Sequence, residues 1–320
     1  MRYILIIFFS FICLPGLMAQ EDLSQLFGEP DSVKKGLPVM ATFKSPRLIN
    51  GQSTETIHKH DLLFVVTHRF GDLAGSEGGT KTFFGLDNST DIQIALDYGL
   101  SDNWNVGIGR AKGAPNGVST HQSQLYYLNT KYRLIRQTED NRTPVSLTLF
   151  GNSVVSGMKK VDIETSDAAF GKFSDRLSYV AQAIIARKFS ENLSLAMLPT
   201  YVRRNYVSYM DMNNLFSLGF GGRMKVSRRM AVVADYFLSF RKDDSKDYFS
   251  EQKDLRFYNP LGLGLEIETG GHVFNLSFTN ATAILENQFV PSTTSSWADG
   301  EFRWGFSITR RFTTGKKTSP

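Results

Sequence analysis

From about residue 60 onward, hydrophobic and polar positions alternate along the chain with a period of two, which puts successive side chains on opposite faces of an extended strand. The last such segment shows it most fully. Phe302, Trp304, Phe306, Ile308 and Phe312 share one parity and Arg303, Gly305, Ser307, Thr309 and Arg311 the other, with Arg310 alone interrupting the apolar set. Ile92, Ile94, Leu96 and Tyr98 alternate in the same way with Asp91, Gln93, Ala95 and Asp97, and Phe216, Leu218, Phe220, Met224 and Val226 with Ser217, Gly219, Gly221, Arg223 and Lys225. Further segments at about 60–70, 103–110, 123–136, 144–155, 176–189, 193–205, 229–241, 257–269 and 272–281 bring the expected strands to twelve.

The connections alternate too. Short ones fall at 100–103, 137–143, 190–192, 227–228 and Gly270-Gly271, and long polar ones at 71–89, 111–122, 156–175, 206–214, 242–256 and 282–300. An even-stranded antiparallel barrel with short periplasmic turns and long outer loops requires this asymmetry. A soluble sandwich would also alternate, but its strands run about 5–6 residues, whereas a tilted membrane strand needs about 9–11. The segment lengths therefore favour an all-β, transmembrane, up-and-down antiparallel barrel of about twelve strands. Tyr98, Trp104, Tyr132, Phe189 and Phe312 would form an aromatic girdle at the short-turn end, and Phe70, Tyr126, Phe240, Phe302 and Trp304 one at the long-loop end. Phe150 and Phe237 have the opposite parity and read as interior residues. Leu218 is expected to face lipid, where Leu218→Arg should cost about 2–4 kcal/mol, and Gly219 the lumen, where serine should be milder.

The chain opens with Arg2, an apolar run from Ile4 to Leu14 and a small-residue site at Leu17-Met18-Ala19, the pattern of a secretory signal cleaved before Gln20. That run is short of the ~20 residues a membrane helix needs, and Pro15-Gly16 interrupts it. Cys13 lies inside the signal, so the processed chain has no thiol for a disulfide, zinc site or nucleophile. The expected organisation is a signal at 1–19, a polar periplasmic segment at 20–59, the barrel at 60–312, and a disordered tail at 313–320 in which Gly315, Lys316, Lys317 and Pro320 argue against another strand. The expected address is the outer membrane of a diderm bacterium. A net charge of +5 is dispersed along the chain, with no basic stripe for nucleic acid.

Several runs resemble a known family: Ala41-Thr42-Phe43-Lys44, Arg47-Leu48-Ile49-Asn50-Gly51, His68-Arg69-Phe70-Gly71, Phe83-Phe84-Gly85-Leu86-Asp87, the stretch 144–151, Arg176-Leu177-Ser178-Tyr179 and Ile185-Ala186-Arg187-Lys188-Phe189-Ser190. Together they resemble an uncharacterised outer-membrane β-barrel family of Bacteroidota, a domain of unknown function, over about Ala41 to Phe312. The resemblance implies the fold and the outer-membrane address. It implies no activity and no catalytic residues.

Chemistry is sparse. His58 and His60 share a side of an extended segment but have no third ligand nearby, so no metal is expected. His68 and Thr90 could meet near the outer end of the first hairpin, as in lipid-acting outer-membrane hydrolases, but no spaced serine nucleophile joins them. Gly219, Gly221 and Gly222 lie in a strand pattern, not in a phosphate loop. No cofactor and no enzymatic activity are expected, with a lipid hydrolase as the minor alternative. By parity the lumen should be lined by Arg69, Asp91, Asp97, Lys131, Arg133, Arg204, Arg223, Asp235, Glu266 and Arg303, with Asp61, Lys188, Lys225, Arg241, Glu268 and Arg311 on the same face. Two readings stay open. The charges could pair across the lumen of a closed structural or protein-interaction barrel, or their basic excess could line a narrow passage for small, anionic solutes. Twelve strands leave less room than the sixteen of an open aqueous channel. The expected partners are outer-membrane lipid, small solutes and periplasmic or outer-membrane proteins.

Overall fold

The computed structural model describes residues 36–114, 117–118, 123–163, 166, 168–269 and 272–314. The expected signal at 1–19, the cleavage point at Gln20, the turn at Gly270-Gly271 and the tail from residue 315 lie outside the described residues.

Alternation builds a closed, twelve-stranded antiparallel barrel in which each strand pairs with its sequence neighbours and the last pairs with the first. The strands are β1 (Asp61–Asp72), β2 (Ser89–Ser101), β3 (Trp104–Ala111), β4 (Leu125–Ile135), β5 (Ser146–Ser156), β6 (Leu177–Lys188), β7 (Leu193–Arg204), β8 (Asn214–Lys225), β9 (Met230–Phe240), β10 (Leu261–Thr269), β11 (His272–Thr279) and β12 (Arg303–Thr313). Closure runs from Asp61 opposite Thr313 to Asp72 opposite Arg303, and a bulge after Arg69 re-aims the end of β1. Thr313, expected to begin the tail, still pairs with Asp61, and the Thr314 N–H donates to the His60 carbonyl at 3.1 Å, so the closing strand outlasts Phe312.

Among the described residues no helix is long and apolar enough to cross a membrane. The strands cross instead, because closure pairs every ladder and leaves no polar edge for lipid. Ile94, Leu96, Ile108, Leu128, Leu149, Phe216, Leu263 and Leu276 stand exposed on the outer face, as a lipid-facing wall requires. Short connections gather at one end of the barrel, here the turn end, and long ones at the other, the loop end. Two of the long loops carry helices, α1 (Asp243–Lys253) and α2 (Glu286–Ser292).

The inward parity is buried because chain fills the lumen. Residues 43–57, part of the expected periplasmic segment at 20–59, run into the barrel. An Arg47–Gln52 bridge and bonds from Leu48 N–H to Gly51 O and Ser53 N–H to Pro46 O fold 46–53 into a hairpin with Leu48 to Gly51 at its tip. From the loop end, residues 281–293 fold inward as well, and every residue of α2 is buried. The loop could not stay in water, because its Ile284, Leu285, Phe289 and Val290 would expose a contiguous apolar patch.

Filling consumes the lumen on one side. Phe43, Leu48, Ile49, Leu198, Val202, Leu215, Phe237 and Phe289 form one continuous core, with Phe237 and Phe289 edge to face at 5.1 Å. Wall glycines make the room. A Cβ on Gly221 would lie 2.3 Å from Leu48 Cδ1, and one on Gly264 2.5 Å from Ile49 Cδ1, so a side chain at either wall position would push the hairpin's side chains aside. Leu218 and Gly219 have the expected parity, and Gly219 faces packed side chains. A Cβ there falls 2.6 Å from Phe237, so serine would overpack a core instead of entering open lumen.

Candidate functional site

The hairpin tip is held by one carboxylate. Asp235, on the inner face of β9, accepts hydrogen bonds from the N–H groups of Ile49 (3.1 Å), Asn50 (2.6 Å) and Gly51 (2.9 Å) and from Asn50 Nδ2 (2.7 Å). A tight turn aims successive N–H groups at one point, and a buried carboxylate is the strongest acceptor available to them. Asn50 Oδ1 in turn accepts from Arg69 (2.7 Å). Arg69 also donates to the Ala281 carbonyl at 3.2 Å and to the Ala283 carbonyl, and so ties the hairpin to the inward loop. Asp91 fixes that loop from the other side, accepting from Ile284 N–H and Gly113 N–H, both at 2.8 Å.

Arg47 joins the two fillers directly. It donates to the Ile284 carbonyl (3.0 Å), lies 3.5 Å from Glu286 Oε1, and reaches Gln93 Oε1 on the wall (3.1 Å). Gln52 Nε2 donates to the same Glu286 oxygen at 2.8 Å. Lys131 spends its ammonium on the carbonyls of Pro46 (2.7 Å), Ser53 (3.2 Å) and Glu55 (3.5 Å).

Beside these contacts the filling is incomplete. A cavity of about 40 Å³ remains between the hairpin and the β1–β5 and β12 wall, lined by polar groups that include Asp97, Asn105, Tyr127, Asn129, Asn152 and Glu286. Asp97 accepts from Asn129 Nδ2 at 3.1 Å. Pro46, Leu63 and Thr309 line both this cavity and a wider vestibule of about 420 Å³ at the turn end. Leu285 of its lining packs in one cluster with Ala111, Leu125 and Val154. The cavity thus shares part of its wall with the turn-end vestibule.

The remaining expected lumen residues are spread along the axis and do not form one electropositive channel. Arg223 pairs with Glu266 at 2.8 Å on the turn side, and Arg133 reaches Thr56 and the Asp102 carbonyl (3.0 Å). Lys188 pairs with Glu191, Arg311 with Asp61 and Glu268 with Lys44, at 3.5, 3.8 and 3.3 Å. At the loop end, Arg204 and Arg241 clamp Asp211 at 2.9 and 2.8 Å, and Arg241 stacks over Phe257 at 3.7 Å. Burial there works to push the Asp211 carboxyl up, but the two guanidiniums together outweigh it and hold the group below the usual carboxylate range. Arg303 donates to Ser295 Oγ at 2.8 Å and to the Glu301 carbonyl at 3.2 Å.

Parity along the strands points to the wall charges, but not to Arg47, Asn50, Gln52, Asp211 or Glu286, which lie outside any strand. The available signal was hydrophobic: Leu48-Ile49 in a polar lead-in, and Ile284-Leu285 with Phe289-Val290 in an otherwise polar loop. His58 turns to Asp102 (3.5 Å) and His60 to the Tyr98 hydroxyl (3.0 Å). His68 stacks on Phe306 at 5.5 Å on the outer face, while the Thr90 hydroxyl is engaged by the carbonyls of Arg69, Phe70 and Thr282.

No curated protein matches the chain. Among solved structures, it is similar to the NanC porin at 8% identity and a TM-score of 0.46, over 78% of this chain and 98% of that one. It is similar to the KdgM porin at 6% identity and a TM-score of 0.45, over 79% and 99%. An outer membrane channel from Pseudomonas putida F1 aligns at 13% identity and a TM-score of 0.46, over 81% and 98%. Residues 43–312, from the start of the inserted segment to the end of the closing strand, match the model described as a membrane-bound beta barrel domain (DUF5777), and the chain belongs to that family.

Proposed function

We propose that the protein is an outer-membrane barrel, closed at rest, that admits small solutes along the polar seam between its hairpin and the wall of β1–β5 and β12. One observation carries this reading. The filling is apolar and tight against β6–β9 but leaves a polar cavity, which shares Pro46, Leu63 and Thr309 with the lining of the turn-end vestibule, against β1–β5 and β12. A purely structural plug gains by excluding water all round, whereas a seam lined by amide, hydroxyl and charged groups is stable only when hydrated. In this reading a signal at 1–19 is cleaved before Gln20, the turn end faces the periplasm of a diderm bacterium, and the cluster of Leu285 and its neighbours moves aside for passage. The Bacteroidota origin belongs to the same proposal. The expectation that the solute is anionic loses its basis at the middle of the barrel, where Arg47, Arg69 and Lys131 face Asp91, Asp97, Asp235 and Glu286.

Planar-bilayer recording tests it. The intact protein should show no steady conductance, and a variant with residues 36–57 deleted should conduct steadily. Constant conductance by the intact protein, or a silent bilayer with a folded deletion variant, would defeat the proposal.

A second reading, a closed barrel that docks a periplasmic protein, is favoured by a cleft of about 1020 Å³ at the turn end lined by Leu37, Met40, Arg187, Phe189 and Glu191. Leu37, Met40 and Phe189 are exposed there.

A further inference from the structure

The outer face of the wall carries charge of one sign only. Register partners share a face, so the ladders fix which side chains look outward. At the outward positions of the twelve strands the charged residues are Arg110, Arg187, Arg203 and Arg310, with no aspartate or glutamate among them. Asp72, past the bulge in β1, is in register with Arg303 and shares its inward face. All four arginines stand near strand ends, Arg110 and Arg203 toward the loops, Arg187 and Arg310 toward the turns. Arg110 lies over the ring of Tyr126, Arg187 over Phe189 and Arg310 over Phe312, at 5.8, 5.2 and 4.8 Å. A cation on a lipid-facing wall is costly at mid-membrane and nearly free at the headgroups, whose phosphates supply the counter-charge that the wall lacks.

Arg110 differs from the other three in having a second cation two residues on along its own face. Past the end of β3 the pairing continues: Lys112 N–H donates to the Ile92 carbonyl at 2.8 Å, and Gln124 N–H to the Lys112 carbonyl at 2.7 Å. Lys112 therefore keeps the parity of Arg110 and follows it by about 7 Å along the strand. Both residues are exposed. The Arg110 guanidinium rests on Tyr126 with no hydrogen-bond acceptor among the described residues, and stacking leaves its N–H edge free to donate. The Lys112 ammonium gives one of its three donors to the Ser89 carbonyl at 2.6 Å. Ile94, in register with Arg110, and the facing pair Ile108 and Leu128 are exposed on the lipid side and form an apolar floor that runs into the membrane-spanning wall.

We propose that Arg110 and Lys112, beside Tyr126, bind the headgroup of a membrane lipid that ends in a phosphate monoester, with its acyl chains lying on Ile94, Ile108 and Leu128. A monoester carries close to two negative charges at neutral pH and presents three acceptor oxygens, which matches two cations on one face, whereas a phosphodiester carries a single charge. The cations stand at the edge of an apolar wall, so a lipid gains both the charge contacts and the wall, and a free phosphate gains the first alone. The site lies on the outer face, apart from the lumen. The orientation proposed above serves only to name the leaflet, the outer one, and binding does not depend on the passage reading.

Native mass spectrometry of the full-length protein in detergent tests it, with phosphatidic acid as the monoester and phosphatidylglycerol of the same chain length as the diester. The first phosphatidic acid should bind about fivefold more tightly than the first phosphatidylglycerol, the effect of one further charge. Arg110→Gln combined with Lys112→Gln should weaken phosphatidic acid binding about 25-fold, roughly fivefold for each cation, and abolish the preference. Arg203→Gln combined with Arg310→Gln removes the same charge from the same face at distant positions and should change binding by less than about twofold. Heat-modifiable migration confirms that each variant is folded. Equal weakening by the two variant pairs, no preference for the monoester, or displacement of the lipid by excess inorganic phosphate would each overturn the assignment. A silent bilayer after hairpin deletion would sink the passage reading and leave the lipid binding untouched.

Discussion

At the residue scale, the decisive groups are carboxylates that neutralise more than one donor in places water cannot reach. Asp235 gathers the hairpin tip, and Asp211 gathers two arginines beneath the long loops. Asp211 lies outside the strands, and its net shift is downward. A carboxyl held lower in the folded state than in the unfolded chain adds stability above about pH 4, and that stability is lost as pH falls through the folded value. Asp211→Asn leaves Arg204 and Arg241 buried without a counter-charge, which should destabilise this corner by about 3–5 kcal/mol near neutral pH. Limited proteolysis of the 241–260 loop should therefore be faster in the variant at pH 7, and the gap should narrow as pH falls below about 4 and through the lowered carboxyl value. A gap that did not narrow at all with acid would mean that charge is not what Asp211 supplies.

At the element scale, β12 is the strand on which closure depends, since it pairs with β11 on one side and β1 on the other. Its ladder extends to Thr313, with two further bonds from Thr314 to the His60 carbonyl. Deleting 315–320 should leave the amount of folded, heat-modifiable barrel in membrane fractions near normal. Deleting 303–320 removes both ladders and leaves edges that cannot persist in lipid, so folded barrel should be absent. Equal accumulation of the two truncations would refute the assignment. Elsewhere, element positions were legible in the sequence because a strand with one face in lipid and one in the interior must alternate. Twelve alternating segments and the short-long rhythm of their connections leave one closed topology. The inserted hairpin was not legible, because a turn of four residues has no period.

At the scale of the whole molecule, the two fillers enter from opposite ends and meet at Arg47 and Glu286, so neither can leave without breaking contacts of the other. Arg47→Ala removes the shared donor and leaves Glu286 buried beside Gln52 alone. Trypsin added to the purified protein should then cut both the 36–59 segment and the 280–302 loop faster than in the wild type. Release of only one segment would show that the two are held independently.

What the sequence determined by itself was the barrel: an antiparallel all-β wall, its strand number and its closure. All of that follows from local periodicity, because lipid on one face constrains every second residue wherever the strand lies. What the tertiary structure alone decided was the state of the lumen. Whether inward charges face water, one another or an inserted chain depends on contacts such as Asn50 with Asp235 and Arg47 with Glu286, between residues 185 and 239 positions apart. A period of two says which way a side chain points and nothing about what meets it there.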